Sequence, residues 1–239
     1  MTFKQYLIEA GGEAAGKMEI VKTSLEDARD FAIKTFEKFG RDLYKEIPDF
    51  DKNYLFAQKM ASLGKTKRKD MPVINDEDVD ELEGRLKNGY IDVNKPFAKD
   101  NKGKSKDPYP QGLSGREADY WLQKGLEVHD GEKKDDHVNV TMETVRVGDL
   151  KPIQKQIYFD KSLIATAQFG AKGTTDFLKK TNFIGSADKR IIDGHHRWLS
   201  GLLINPNMKV HMLTIHLPIK RLLPVTISYG DAIGNSRNA

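Results

Sequence analysis

Apolar positions along this chain fall into two regimes. Up to residue 63 they recur at helical spacing, and from Val138 onward they run in short strand-like blocks. In the first regime Met18-Glu19-Ile20-Val21-Lys22 reads as a short strand. Thr23 then stands as an N-cap, with Glu26 three residues on as its capping-box partner. Leu25, Ala28, Ala32, Phe36 and Phe39 form the apolar stripe of a core-facing helix that Gly40 stops. Tyr54, Leu55, Ala57 and Met60 predict a second helix.

The stretch between the two regimes is mostly polar. Lys65, Lys67, Arg68 and Lys69 make a basic knot, read as a solvated loop because no aromatic residue is interleaved. Asp76, Glu77, Asp78, Asp80 and Glu81 precede Val79, Leu82 and Leu86, the pattern of an acidic helix start. Residues 99–112 are rich in Lys, Gly, Pro and Asp and read as a surface loop. Ser114-Gly115-Arg116-Glu117 is a capping box for a helix carrying Ala118, Trp121 and Leu122 and closed by Gly125. Tyr120 and Trp121 offer rings for base stacking, but Trp121 falls on the apolar stripe and reads as core. Residues 129–137 form another polar loop.

In the second regime Val138, Val140, Met142, Val145 and Val147 predict strand, followed by a Leu150–Gln154 loop. Leu163, Ile164 and Ala167 predict one short helix, and Phe177-Leu178 another. Asn182–Gly185 and Arg190–Ile192 read as two strands around a polar turn. A helix follows over residues 193–205, with Trp198, Leu199, Leu202 and Leu203 on its core face. His211–Leu217 alternates like a strand. Arg221, Leu222 and Leu223 suggest a last helix that Pro224 and the β-branched Val225-Thr226-Ile227 weaken. The final ten residues are small and polar and read as frayed.

Candidate chemistry concentrates in Asp193-Gly194-His195-His196-Arg197, between an apolar strand and an apolar helix. A helix start offers N–H groups that no intrahelical carbonyl takes, and the positive end of the dipole. His, His and Arg added there make an anion site suited to phosphate. Arg197 can clamp two oxygens in a fork. His195 and His196 can donate hydrogen bonds and carry a proton near neutral pH. Gly194 lets a ligand approach the backbone. Asp193 can cap the helix, orient a histidine or hold a metal. A capped surface turn is the plain alternative. Adjacent histidines point in different directions on a helix, so His195 and His196 do not form a zinc site. His211 and His216 fall on opposite strand faces and read as structural or exposed.

Composition narrows the field only partly. The chain has 239 residues, enough for a real core, and 31% charged content with 38% apolar content makes it polar without being disordered. A net charge of +4 is too small to argue nucleic-acid binding from the whole chain, so it rests on local clusters. The absence of cysteine excludes disulfides, thiolate chemistry and cysteine zinc sites. Met1–Leu7 has no apolar signal core and no stretch has the length of a membrane span, so no membrane partner is expected.

The order strand, Pro–Gln loop, short helices, strand, turn, strand, Asp-Gly-His-His-Arg, helix, strand resembles the ParB/sulfiredoxin-like fold over residues 138–220. Leu150-Lys151-Pro152-Ile153-Gln154-Lys155 looks like the first ParB box. Asp193–Arg197 stands where ParB proteins have Gly-Glu-Arg-Arg and sulfiredoxins Gly-Cys-His-Arg. With its helical first half, the chain resembles bacteriophage-encoded ParB-like nuclease-domain proteins. The resemblance implies an α+β fold: a mixed sheet with short helices over 138–230, preceded by a mainly helical region over 1–130. It also implies that the second box binds nucleotide phosphates. Gly194, His196 and Arg197 match the sulfiredoxin box residue by residue. His195 stands at the reactive-cysteine position, so sulfinic-acid reduction is excluded. The 42 residues after Arg197 are too few for a ParB helix-turn-helix module plus the remaining strand.

The expectation is therefore a nuclease-like phosphodiester or nucleotide hydrolase. His195, His196 and Asp193 are its candidate catalytic residues. Gly194, His196, Arg197, Gln154 and Lys155 are its candidate phosphate ligands. Asp193 is the nearest candidate ligand for a divalent metal, magnesium or manganese, and a nucleotide such as ATP or CTP is the expected cofactor. The expected partner is nucleotide or nucleic acid, in host-cell cytoplasm or in a virion. Two alternatives stand beside it. One is a non-catalytic virion-associated or host-directed interaction protein. The other is a small-molecule kinase of the same fold, weakened because the first-box loop offers Gln154, with Asp149 before it, in place of a carboxylate base.

Overall fold

The computed structural model describes residues 16–91, 93, 122 and 137–235. The expected loop at 99–112, the Ser114 capping box, Tyr120, Trp121 and Gly125 lie outside the described residues. Those described form an α+β protein with seven α-helices and five strands. The helices are α1 (Leu25–Lys38), α2 (Leu43–Glu46), α3 (Phe50–Ala61), α4 (Val79–Lys87), α5 (Phe159–Leu178), α6 (His195–Ile204) and α7 (Ile219–Ala232). The strands are β1 (Val140–Arg146), β2 (Lys151–Pro152), β3 (Asn182–Ser186), β4 (Arg190–Asp193) and β5 (Lys209–Ile215). They make one sheet in the order β1-β5-β3-β4-β2. No described helix is long and apolar enough to cross a membrane.

Two compact units emerge, each drawing on both halves of the sequence. The first takes residues up to Lys65, Glu143–Phe183 and Gly194–Met212. The second takes Thr66–Met142, Ile184–Asp193 and the chain from Leu213.

In the first unit α1, α3, α5 and α6 pack together. On α3 the buried face is Phe50, Asn53, Tyr54, Ala57 and Ala61, a clean helical stripe. The expected Leu55 points the other way and is 50% exposed. Phe50, Tyr54 and Phe31 gather around Phe159, with Tyr54 and Phe159 edge-on at 5.2 Å. On α6, Trp198 is fully buried and its indole N–H donates to the Val147 carbonyl at 3.1 Å. Asn53 donates to the carbonyls of Leu203 and Ile204 at 2.9 and 3.2 Å, closing the end of α6.

Several local expectations shift. Ser24, not Thr23, caps α1: its hydroxyl accepts from the Asp27 N–H and donates to the Asp27 carboxylate. Thr23 is engaged elsewhere, its hydroxyl donating to the Glu19 carbonyl and its own carbonyl accepting from Tyr54 and Gln58. The expected strand at 18–22 reduces to a single bridge from Glu19 to Tyr158, followed by one tight turn over Ile20–Lys22. Phe39 lies past the helix end and is exposed. The two short helices expected around Leu163 and Phe177 are the two arms of α5, broken at Gly170. Gly170 adopts φ +72°, and a Cβ there would stand 2.6 Å from the Arg41 guanidinium. Arg41 pairs with Glu46, whose second oxygen accepts from the Ala171 N–H and so caps the second arm.

In the second unit β3 and β4 pair antiparallel around the expected polar turn, with Ile184 opposite Asp193. Asp188 in that turn accepts from the Ser186 hydroxyl and from the Ile219 N–H at the start of α7. The α7 helix runs through Pro224, and Val225, Thr226 and Ile227 are all buried, so packing overrides their weak helix propensity. The described part of the last ten residues is tied down: Asn235 donates to the Val73 carbonyl and to Asp78. His211 is exposed on β5, and His216 lies beyond the end of that strand, exposed and bonded to the Thr141 hydroxyl.

Gly170 and Gly40 make a matched test. Both have positive φ, but nothing lies within 4 Å of a Cβ at Gly40. Gly40→Ala should cost only the left-handed strain, about 1–2 kcal/mol. Gly170→Ala should cost at least about 1 kcal/mol more, because it also displaces the Arg41–Glu46 pair. Urea unfolding of both variants checks this; equal losses would dismiss the role given to Arg41.

Candidate functional site

Two loops about forty residues apart meet at the start of α6. Gly194 is the N-cap residue, at φ +102°, with no side-chain cap. Asp193 stands one residue before the N-cap, as the last residue of β4, half-buried and paired in register with Ile184. Any side chain at Gly194 would be strained, and its Cβ would stand 2.8 Å from the Phe183 ring. The left-handed turn brings the chain from strand into helix within one residue. It thereby sets His195, His196 and Arg197 on the first turn.

His195 faces inward and is only 5% exposed. Its Nε2 accepts from the backbone N–H groups of Ile153 and Gln154, both at 3.2 Å. The ring proton therefore sits on Nδ1. Burial disfavours the charged ring and pushes its pKa down to about 3. In this geometry the neutral ring ties the Ile153–Gln154 loop to the start of α6.

His196 is half-buried and its Nε2 accepts from the Tyr158 N–H at 3.3 Å. Its ring lies parallel to that of Tyr158, with centroids 6.2 Å apart, and the Lys161 ammonium stands 5.9 Å from the tyrosine centroid. Arg197 is buried at 8% exposure, its guanidinium 5.5 Å from the centre of the Phe183 ring. The structure thus brings Gly194, His195, His196 and Arg197 together with the backbone of Ile153 and Gln154. Lys155 follows on the same loop, exposed.

The Gln154 side chain folds back on its own loop, its amide donating to the Gln156 carbonyl. Asp149 forms a two-bond pair with Arg146 at 2.9 and 3.0 Å, on the surface. Neither arrangement favours a kinase base at the first box. Among the described residues no three His, Asp or Glu side chains group to hold a metal ion, so Asp193 offers a single carboxylate. An open cleft of about 620 Å³ lies along α1 and contains no box residue. Three lysines (17, 22 and 34) and three acids (19, 27 and 30) line it, so it favours neither charge.

Sequence reasoning missed Tyr158, Phe183 and Asp160. Tyr158 and Phe183 support His196 and Arg197. The Asp160 carboxylate accepts from the N–H groups of Gly16 and Lys17, fastening the N-terminal segment to the start of α5. Tyr158 and Asp160 flank a helix start, the only local signal for either.

No family model matches the chain, and searches of curated proteins and of solved structures return no match.

The clamp has a pH signature. The unfolded chain takes up the His195 proton near pH 6.5, while the folded chain resists it down to about 3. The stabilisation is complete above pH 6.5 and declines as pH falls toward 3. His195→Gln, which keeps an acceptor but does not titrate, should flatten the loss of stability between pH 7 and pH 5. His195→Ala should cost about 2–4 kcal/mol at pH 7, from two orphaned amides and a void. Urea midpoints across pH check both; an unchanged pH slope in His195→Gln would refute the buried neutral ring.

Proposed function

We propose that the start of α6 binds a phosphate group of a nucleotide or nucleic acid, in a domain of ParB/sulfiredoxin-like type, and that the protein is a nuclease-like phosphodiester or nucleotide hydrolase. The observation that carries this reading is the clamp of His195 on the amides of Ile153 and Gln154, because it joins the box that the resemblance assigns to phosphate to the loop that carries Lys155. Arg197 is the fork for two phosphate oxygens, and Gly194 supplies the left-handed turn that opens the helix there. Lys155 lies on the adjoining loop as a second cation. His196 is left as the histidine for proton transfer, and His195 becomes a positioning residue. Asp193 suits a magnesium or manganese ion held chiefly by the ligand's own phosphates, which need few protein carboxylates. Such an ion supplies charge neutralisation on the phosphate. The chain's own contribution is positioning and charge, the main demands of phosphoryl chemistry.

A second reading is favoured by one specific observation. Both histidines accept from backbone N–H groups through Nε2. A box whose imidazoles hold the fold suits phosphate binding without turnover, as in a non-catalytic interaction protein that senses a ligand.

A thermal-shift panel separates these. ATP, ADP, CTP, pyrophosphate and a short oligonucleotide are tested with and without magnesium or manganese. A ligand at about 100 times its Kd should stabilise by about 2.7 kcal/mol, a rise of roughly 5–10 °C. The rise should vanish in Arg197→Ala and shrink in Arg197→Lys, which keeps the charge and loses the fork. No shift with any ligand refutes the phosphate site. A shift without hydrolysis selects the second reading.

A further inference from the structure

Tyr158 is held from both edges of its own backbone. On one edge lie residues 16–20. The Ile20 N–H donates to the Ile157 carbonyl at 3.0 Å, and the Phe159 N–H donates to the Met18 carbonyl at 2.7 Å. Glu19 thus stands opposite Tyr158 in an antiparallel bridge. In such a pairing the peptides on either side of Tyr158 bond the partner segment, so its own N–H points to the other edge. There the His196 Nε2 accepts it at 3.3 Å. Residues 16–20 and the imidazole therefore grip opposite edges of one residue.

The segment has a fixed end and a locked end. Ile20 is fully buried, and its carbonyl accepts from the Gln58 amide at 3.0 Å. At the other end the N–H groups of Gly16 and Lys17 converge on one carboxylate oxygen of Asp160, at 2.7 and 2.9 Å, and Asp160 is only 2% exposed. Gly16 stands at φ +105°, and a Cβ there would lie 3.0 Å from the Lys161 side chain and 4.0 Å from the Tyr158 ring. The locked end therefore lies against the ring that stacks on His196.

We propose that residues 16–20 are a strap that controls His196, with Asp160 as its lock. Closed, the strap keeps the Tyr158 N–H on the imidazole Nε2. Released, it lets Tyr158 turn away and leaves that nitrogen open to a proton. This rests on the reading of the α6 start as a phosphate site, whose proton-carrying histidine the strap regulates. Two backbone bonds alone make a marginal pairing. Two further bonds to a buried carboxylate are of the strong, charge-assisted kind, so Asp160 decides whether the strap stays down. It is a positioning residue, acting on His196 through the strap and Tyr158.

The test uses the full-length protein at about pH 8. Hydrogen exchange follows the Tyr158 amide, and proton–nitrogen correlation spectra follow the His196 ring, with His196→Gln to assign its signal. The parent ring should carry its proton on Nδ1. Asp160→Ala should speed exchange at Tyr158 at least about tenfold relative to the Trp198 amide, which bonds the Gly194 carbonyl in the first turn of α6 and reports general loosening. The form protonated on Nε2 should appear with it. Gly16→Val, which strains the left-handed turn and leaves Asp160 in place, should act in the same direction and carries the test should Asp160→Ala not fold. Asp160→Asn keeps an oxygen for Gly16 and Lys17 and should stay close to the parent. Equal acceleration at Tyr158 and Trp198 overturns the inference, as does a His196 ring that keeps its Nδ1 proton in every folded variant. Pyrophosphate with magnesium, read by thermal shift, tests the phosphate site separately. A parent that binds none, with His196 still freed in the variants, removes the phosphate reading and leaves the strap standing.

Discussion

One imidazole fixes the geometry on which everything at the α6 start depends. His195 accepts two N–H groups directly from a loop some forty residues earlier in the chain. Only a neutral ring with its proton on Nδ1 can do this. The buried surroundings enforce that state by disfavouring the cation. Geometry and electrostatics therefore point the same way. The amides of Ile153 and Gln154 need an acceptor because they are buried with the loop, and the ring needs donors because it is buried with the helix. Each answers the other.

The clamp would be of little use on a loose helix, and α6 is anchored along its length. Trp198 bonds Val147, Ser200 bonds the Ser162 carbonyl inside α5, and Asn53 closes the last carbonyls. These partners come from three separate stretches of sequence, one of them in the N-terminal helices. The helices before residue 65 thus support the candidate site. The break at Gly170 serves the same end: it lets α5 change direction while Glu46 caps the second arm.

Local patterns were the most legible part of the sequence. The core of the α1 stripe, the presence of a helix at α3, the β3–β4 turn and the strand-glycine-helix transition at residues 190–204 all follow from spacing and from residue types with narrow preferences. Errors arose where a partner distant in sequence decided between neighbours. Thr23 and Ser24 are equally good caps by type, and the turn from Glu19 together with Tyr54 claims Thr23. Pro224 and its β-branched successors argue against a helix until the burial of α7 outweighs them. At the site, Gly194, His196 and Arg197 stand out by composition alone, but the inward turn of His195 was invisible. Nothing in the pair His195-His196 says which ring faces the loop. Lys65 illustrates the same limit: a basic loop read as solvated is fastened to Ile153 through a backbone bond, and side-chain patterns carry no record of backbone partners.

The state of the two histidines decides what kind of chemistry the box can support. Burial disfavours the charged form of the His195 ring, and its Nε2 is already taken by two amides. The Nε2 of His196 already accepts from Tyr158, so a proton arriving there must break that bond. At the start of α6 stand a buried guanidinium and a helix N-terminus that Gly194 opens through its positive φ. On the proposed reading those parts would neutralise and orient a phosphate. Turnover then depends on a group that the ligand brings with it, a phosphate-bound metal ion or an activated water. On that reading binding rests on the chain's own groups, whereas hydrolysis draws on a group that the ligand supplies.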